Sequence, residues 1–330
     1  MAASDPLVLL ALNRLEFLKA REKLLLAELC GAGERLFSLS LGQLEKLLGR
    51  RLRTRGWKPG EALEGARADQ KHLTAGGISC TFYPDADFPP QLKEIYDPPL
   101  VLFYRGRLPD PSLPLVAIVG TRRPTGKARS EAFALGLALA ERGVPTVSGL
   151  ARGIDSEAHR GSLAGGGVTI AVLGNGIDEV YPRGSVEVAR RLLLQGGCLL
   201  SEYPPATPPL AYHFPARNRI ISGLARTVVV IQAPEHSGAL ITADYALEQG
   251  RDLLVHEVGL EGVAGEGTRR LHCSGAPAVR RAEQILAEWG WEAEEPEPEL
   301  APPPLARQLE LELAGRLAHC NGMLYLKRRT

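Results

Sequence analysis

This 330-residue sequence offers no basis for a disulfide framework, a zinc knuckle or a membrane span. Its five cysteines (Cys30, Cys80, Cys198, Cys273 and Cys320) are scattered, odd in number and never spaced as CxxC, as suits reduced thiols. No window approaches the roughly 18 to 20 apolar residues that cross a bilayer. Residues 1–5 lack the basic start and apolar run of a signal peptide. The expectation is therefore a soluble, cytoplasmic chain with no membrane contact. A global basic field is missing too, because the net charge is only +1. Any nucleic-acid site has to come from a local arrangement of arginines.

The commonest enzyme signatures are also missing. Gly120 and Gly126-Lys127 superficially resemble a P-loop, but five residues separate the glycines where four are needed, and Ala128 replaces the Mg²⁺-binding hydroxyl. A dinucleotide site needs GxGxxG and an acid at the end of the second strand. That strand ends Ser148-Gly149, and Gly174-Asn175-Gly176 is followed by Glu179 where the third glycine belongs. No GxSxG elbow, HExxH or paired-histidine spacing occurs, and the seven histidines are isolated. The sequence thus nominates no catalytic residue, no metal ligand and no cofactor.

What is present centres on residues 116–124. Val116-Ala117-Ile118-Val119 reads as a buried strand, Gly120 ends it, and Thr121, Arg122 and Arg123 follow before a helix over 127–142. A strand, a glycine turn and a helix N-terminus aim free N–H groups and a positive dipole at one spot, and two arginines make that spot a phosphate reader. Apolar strands over 145–148, 168–173, 198–202, 227–232 and 252–258 alternate with helices over 156–164, 186–194, 217–224 and 239–249. This pattern implies an α/β fold: an extended Rossmann-like, doubly wound, mostly parallel sheet covered on both faces.

Around that domain (78–290), residues 1–77 read as a small helical module of the sterile-alpha-motif or helix-hairpin-helix kind, with helices over 7–19, 22–29, 34–38 and 41–48. Strands are expected over 78–83 and 100–104. Residues 291–304 form an acidic, proline-rich linker. Residues 305–330 carry a helical pattern to about Ala318, then Asn321-Gly322, a hairpin signal before 324–326.

Polar loops follow the strands. After the second come Gly149, Arg152 and Gly153, a further anion-binding loop, with Asp155 read as a helix cap. After the fourth, Phe214 precedes Arg217, Asn218 and Arg219 at an expected helix start. Arginines for phosphate with an aromatic for stacking suit single-stranded nucleic acid. The competing reading has Phe214 plugging the core and one arginine pairing with Glu202. Two arginines at a helix N-terminus oppose its dipole unless an anion is bound, which favours the first. After the fifth strand, Ser237, Gly238 and Thr242 supply hydroxyls and a small residue. Four such loops on one sheet edge fit an extended polyanion.

At these residues the sequence resembles the DNA-processing protein A family (DprA, or Smf). The likeness runs through 116–122, 148–159, 171–182, 201–204, 214–224 and 237–246 in order and spacing, and covers roughly 80–280. It implies binding of single-stranded DNA without sequence preference, dimerisation, and delivery of the RecA recombinase onto DNA taken up in transformation. The family's phosphate-gripping turn corresponds to Gly120-Thr121-Arg122. Its Phe-Pro-x-Arg-Asn-Arg element corresponds to Phe214, Pro215, Arg217, Asn218 and Arg219. Departures are Glu257-Val258-Gly259 where members often have Pro-Gly, and Arg269 where asparagine is usual. Residues 305–330 resemble a truncated winged helix, about half the usual size. A second resemblance is to nucleotide phosphoribohydrolases of the lysine-decarboxylase-like (LOG) type. Their Pro-Gly-Gly-x-Gly-Thr-x-x-Glu signature falls on Pro234 to Thr242, where the glycine cradle is missing and Asp244 stands in place of a matching glutamate.

Overall fold

The computed structural model describes residues 5–29, 34–54, 56–291, 314, 317–320 and 323–326. Four helices come first: α1 (Pro6–Asn13), α2 (Ala20–Leu29), α3 (Leu41–Leu48) and α4 (Pro59–Gly76). Asp5 caps α1 by accepting from the Leu7 N–H at 2.9 Å. A Ser40/Gln43 capping box opens α3, and Gly49 closes it at φ 66°. The helix expected over 7–19 ends at Asn13, beyond which Leu15 and Leu18 turn into the core. The longest of the four, α4, was not expected, since its inward stripe is Ala62, Ala66, Asp69 and Leu73 rather than large apolar residues. Buried Asp69 is held there by Arg14 at 2.7 Å.

The remaining elements alternate. After β1 (Ser79–Phe82), a short α5 (Pro90–Lys93) and β2 (Val101–Gly106) come β3 (Val116–Val119), α6 (Gly126–Ala140), β4 (Thr146–Ser148), α7 (Ile154–Ala164), β5 (Thr169–Val172) and α8 (Val186–Leu194). Then follow β6 (Cys198–Ser201), α9 (His213–Leu224), β7 (Thr227–Val230), α10 (Gly238–Glu248) and β8 (Asp252–His256). Next are α11 (Glu266–Cys273), the two-residue β9 (Ala278–Val279) and α12 (Ala282–Glu288). Strands β10 (Leu317–Cys320) and β11 (Met323–Leu326) pair antiparallel, with Cys320 opposite Met323, and the expected Asn321-Gly322 turn lies outside the described residues. The helix expected before it lies outside the described residues, except that Leu317 and Ala318 are strand. The linker expected over 291–304 falls outside them from 292 on.

Among the described residues the main sheet has nine strands in the order β1-β2-β6-β5-β4-β3-β7-β8-β9. Strands β3 to β9 are parallel to their neighbours, while β2 adds to β6 antiparallel and β1 to β2 likewise. The fold is the mostly parallel α/β sheet that the apolar strands imply. Alternation along β3 shows both faces covered: Val116 and Ile118 join the core under α6, α7 and α12, whereas Ala117 and Val119 join the core under α9 and α10. A third core unites α1–α4 with α8 and with Val101, Phe103, Ala171 and Leu199 of the sheet, so the helical segment is packed onto the β1–β2–β6 end rather than tethered to it.

Chain order sets where a ligand can sit. From β3 the chain steps through β4, β5 and β6 on one side, then returns to place β7 on the other side of β3. That reversal is the switch point at which strand-end loops diverge and leave a crevice. The scaffold behind it is tight. Helices α6 and α7 touch backbone to backbone at Gly136 and Gly161, where a Cβ would collide with the carbonyls of Ala158 and Phe133. Replacing Gly161 by Ala should force the helices apart and destabilise the fold by roughly 1–3 kcal/mol. A urea melt that matches the parent protein would contradict this packing.

Candidate nucleic-acid interface

At the carboxyl ends of β3 and β7 lies a cavity of about 530 Å³. Its walls come from four loops. The turn after β3 gives Gly120, Thr121, Arg122 and Arg123, and the loop after β4 gives Ala151 and Asp155. The first turns of α9 give Phe214, Arg217 and Asn218, and the β7–α10 loop gives His236, Ser237, Gly238 and, one turn on, Thr242. Ten of the sequence-nominated residues therefore share one space.

The turn after β3 is held from below. Thr121 N–H donates to the Gln232 carbonyl at 2.8 Å, and Thr125 N–H donates to the Gln232 side-chain oxygen at 2.9 Å. The side chain of Thr121 accepts from Arg123 N–H at 3.2 Å. Gly120 is required for closeness, since a Cβ there would lie 2.6 Å from Ile154. Gly153, at φ +84°, lets the β4–α7 loop pass against the Thr121 carbonyl. Leu150 on the same loop is also in the left-handed region, at φ 57°, and its carbonyl accepts from Ser185 Oγ at 3.0 Å. A non-glycine held there is stored strain in a loop that the surroundings over-determine.

Arg122 and Arg123 are exposed and have no carboxylate partner among the described residues. Arg122 lies over the Phe214 ring, 5.7 Å from its centroid. Phe214 in turn rests on Gly174, where a Cβ would come within 2.7 Å of the ring, and tilts against Tyr181 at 5.6 Å. It is half plug and half platform.

Arg217 is only 4% exposed. Its Nη1 donates to the Gly149 carbonyl at 3.0 Å and to the Val172 carbonyl, and its Nε is buried without a partner. Gly149 makes room for it, because a Cβ would sit 2.5 Å from Nη2. Burial pushes this guanidinium down to about 10, against the pull of neighbouring Asp155. It stays charged at neutral pH. Asp155 does not cap α7, whose N-cap is Gly153. Its carboxylate instead accepts from Gly149 N–H at 3.1 Å, and burial pushes it up to about 6, against the opposing charge of Arg217. Beneath them His159 is fully buried against Thr169 at 2.7 Å, and burial, helped by Arg217, pushes it down to about 3. It is a neutral core residue.

Four nominated residues do not line the cavity. Gly149 and Gly153 act one layer behind it, seating Arg217 and the β3 turn. Arg152 is exposed on the loop outside the cavity. Arg219 requires a correction: it is 7% exposed and forms a two-pronged pair with Glu202 at 2.6 and 2.5 Å, plus Asp97 at 3.1 Å. Burial disfavours its charge, but Glu202 more than offsets that and raises it. The cause is helical geometry. The helix starts at His213, not at Arg217, so both arginines lie beyond its first turn and the dipole argument lapses. Residues two apart point roughly 200° from each other, so Arg217 and Arg219 face opposite ways. The helix N-terminus of α6 also stands aside, with Thr125 accepting from Ala128 N–H, and the one that opens on the cavity belongs to α10. Sequence reasoning missed Gln232 and His236. A glutamine ending an apolar strand was the available signal for the first.

With this geometry in hand, likeness to known proteins is informative. Residues 79–290 match the family model of DNA recombination-mediator protein A. The chain belongs to that family. It is 45% identical over 203 residues to Protein Smf of Escherichia coli, a match covering 61% of this chain and 54% of that one. It is 42% identical over 207 residues to the DNA processing protein DprA of Streptococcus pneumoniae, covering 62% and 72%. The match thus spans about half the length of the E. coli relative. The crystal structure of the S. pneumoniae protein superimposes with a TM-score of 0.71 at 34% identity, covering 87% of this chain and 99% of that one. DNA processing protein A from Helicobacter pylori, studied for its single-stranded DNA binding mode, gives 0.57 at 29% identity, covering 64% and 95%.

Because Arg219 is walled in by carboxylates and does not line the cavity, its substitution tests stability rather than binding in that cavity. Arg219→Ala strands Glu202 and should cost about 3–5 kcal/mol. A thermal melt unchanged from the parent would show that the pair carries no structural weight.

Proposed function

We propose that the protein binds single-stranded DNA without chemical turnover, gripping the phosphates in the cavity at the β3–β7 switch point. As a homodimer it protects incoming strands and hands them to the RecA recombinase. The observation that carries the reading is the charge balance of the cavity. Arg122 and Arg123 are free and Arg217 is buried with an unpartnered Nε, while Asp155 is the only carboxylate among the described lining residues. At the α10 N-terminus the Ser237, Ala239 and Leu240 N–H groups are bonded within the turn. The Ser237 and Thr242 hydroxyls and the Gly238 backbone line the cavity beside Asn218, which is anchored to the Gly238 carbonyl at 3.2 Å. Such polar groups read phosphate and not base identity. Membership of the DNA recombination-mediator protein A family and the DNA-binding relative from H. pylori support the same substrate class.

The phosphoribohydrolase alternative needs an acid or base poised over a nucleotide. Asp155 is the candidate in the cavity, but its carboxylate is engaged by Gly149 and offsets Arg217. Release of free base from a nucleoside monophosphate would restore that alternative.

Arg122→Ala should weaken binding of an oligo-dT by about tenfold, the size of one charge-assisted contact, and lower the salt slope by about 0.7. Anisotropy titrations over a salt series read both quantities. Parent affinity and slope in the variant would exclude this cavity as the DNA site.

Asp155 adds a pH dependence whose sign is fixed. Ionised, it offsets Arg217. Protonated as pH falls through about 6, it leaves that arginine uncompensated. Affinity for the oligomer should therefore rise between pH 7 and 5.5, and Asp155→Asn should bind more tightly at pH 7 with a flattened profile. An Asn variant that keeps the parent's pH response would assign it elsewhere.

A further inference from the structure

A second depression, of about 640 Å³, lies on the other side of α9. One wall is the helical segment, through Asn13, Glu16, Lys19, Lys23, Arg50, Arg51 and Arg53. The opposite wall is Asp97, Pro99 and Leu100 with Glu202, Tyr203 and Arg219. Its charges can be paired off. Arg219 bonds both Glu202 and Asp97 but its single charge offsets only one of them, and Arg50 is taken by Glu22 at 2.5 and 2.7 Å. Lys19, Arg51 and Arg53 remain exposed, with no carboxylate partner among the described residues. Lys23 is half-buried, and its ammonium donates to the Asn13 carbonyl at 2.9 Å. Burial pushes it down to about 8, against the pull of Glu202, Asp97 and Glu16. Lys19, Lys23, Arg51 and Arg53 thus face Glu16 and the one carboxylate charge that Arg219 leaves unanswered, so cations stay in excess in a concave site.

A row of basic residues is ordinarily a solvated face. Here the cations converge from two separate segments, 19–23 and 51–53, into a groove that adjoins the DNA cavity. Helix α9 is the partition: Phe214, Arg217 and Asn218 face the cavity, and Ala216 and Arg219 face the groove. An aromatic ridge crosses its start. Tyr203, in the groove, stacks on His213 at 3.9 Å, and His213 meets Tyr212 edge-on at 4.5 Å. Tyr212 is 62% exposed. His213 is buried and Tyr203 half-buried, so Tyr212 is the exposed ring of the three, and an exposed ring between two basic hollows lets a single strand stack a base while its phosphates reach both sides. A helix is about 10 Å across, a span of about three stacked nucleotides.

We propose that this groove is a second phosphate-binding subsite for the same DNA strand, which crosses the first turn of α9 and is gripped by Lys19, Lys23, Arg51 and Arg53. The proposal rests on the cavity being the primary DNA site. It assigns the helical segment a part in the grip on long strands.

The test uses the full chain, a short oligo-dT sized to the cavity and a long one able to reach the groove. The double variant Arg51→Ala/Arg53→Ala alters only exposed side chains, and a thermal melt checks its fold. For the long oligomer the salt slope should fall by about 1.4, two contacts at 0.7 each, with a roughly tenfold or greater loss of affinity. The short oligomer should bind as to the parent. Arg51→Glu/Arg53→Glu should enlarge the first effect and leave the second unchanged. Parent-like slope and affinity for the long oligomer would overturn the subsite while leaving the cavity standing, and so would equal losses for both lengths, which mark an indirect effect. If Arg122→Ala binds both lengths like the parent, the cavity reading itself has failed, and the subsite as proposed fails with it.

Discussion

The arrangement depends on one buried cation. Arg217 reaches across from α9 to the carbonyls of Gly149 and Val172 at the ends of β4 and β5, and it sits beside Asp155. A guanidinium in a low-dielectric site is costly unless its donors are satisfied and its charge is answered. Two carbonyls satisfy one nitrogen and Asp155 supplies a partial counter-charge, but Nε is left without a partner. The cost explains the rest of the local design. Gly149 has no side chain because Arg217 needs the space, Asp155 is drawn inward from the helix N-terminus, and His159 is kept neutral below. The residual positive potential opens onto the cavity.

The same account shows why electrostatics here is local. The chain carries 39 basic and 38 acidic residues, so the whole molecule exerts almost no net field. Charge separation arises because pairing is uneven. Carboxylates are consumed in structural pairs such as Arg219–Glu202, Arg14–Asp69 and Lys127–Glu261, while Arg122, Arg123, Arg51 and Arg53 have no carboxylate partner among the described residues. Composition alone is blind to this, because a neutral total is compatible with any partition between paired and unpaired groups.

What could be read in the sequence follows from how far each signal extends along the chain. Val116–Val119 is legible because a strand buried on both faces must be apolar at every position, and the alternating helices make the parallel sheet readable. The β3 turn is legible because strand, glycine and arginines are contiguous. Arg219 was misassigned because spacing along a chain says nothing about direction until the helix start is known, and placing that start at Arg217 instead of His213 put two opposed side chains on one site. The helix α4 escaped because alanine makes a poor apolar stripe to the eye, although it packs well. The edge strand β9 is two residues long, too short for any periodicity.

The groove beyond α9 was illegible for a different reason. Lys19, Lys23, Arg51 and Arg53 belong to two segments that only the packing of α1–α4 against the sheet brings together, so no local motif exists to be found. The pairing that leaves them in excess also depends on fold: Glu202 would offset one more of the groove's positive charges if Arg219 did not already hold both of its oxygens. Read this way, the ion pair that removes Arg219 from the phosphate cavity has a second effect. By offsetting one carboxylate charge of Glu202 and Asp97 it leaves the lysines and arginines opposite in excess over the remaining acids, so a residue outside the phosphate cavity shapes the electrostatic character of a whole wall.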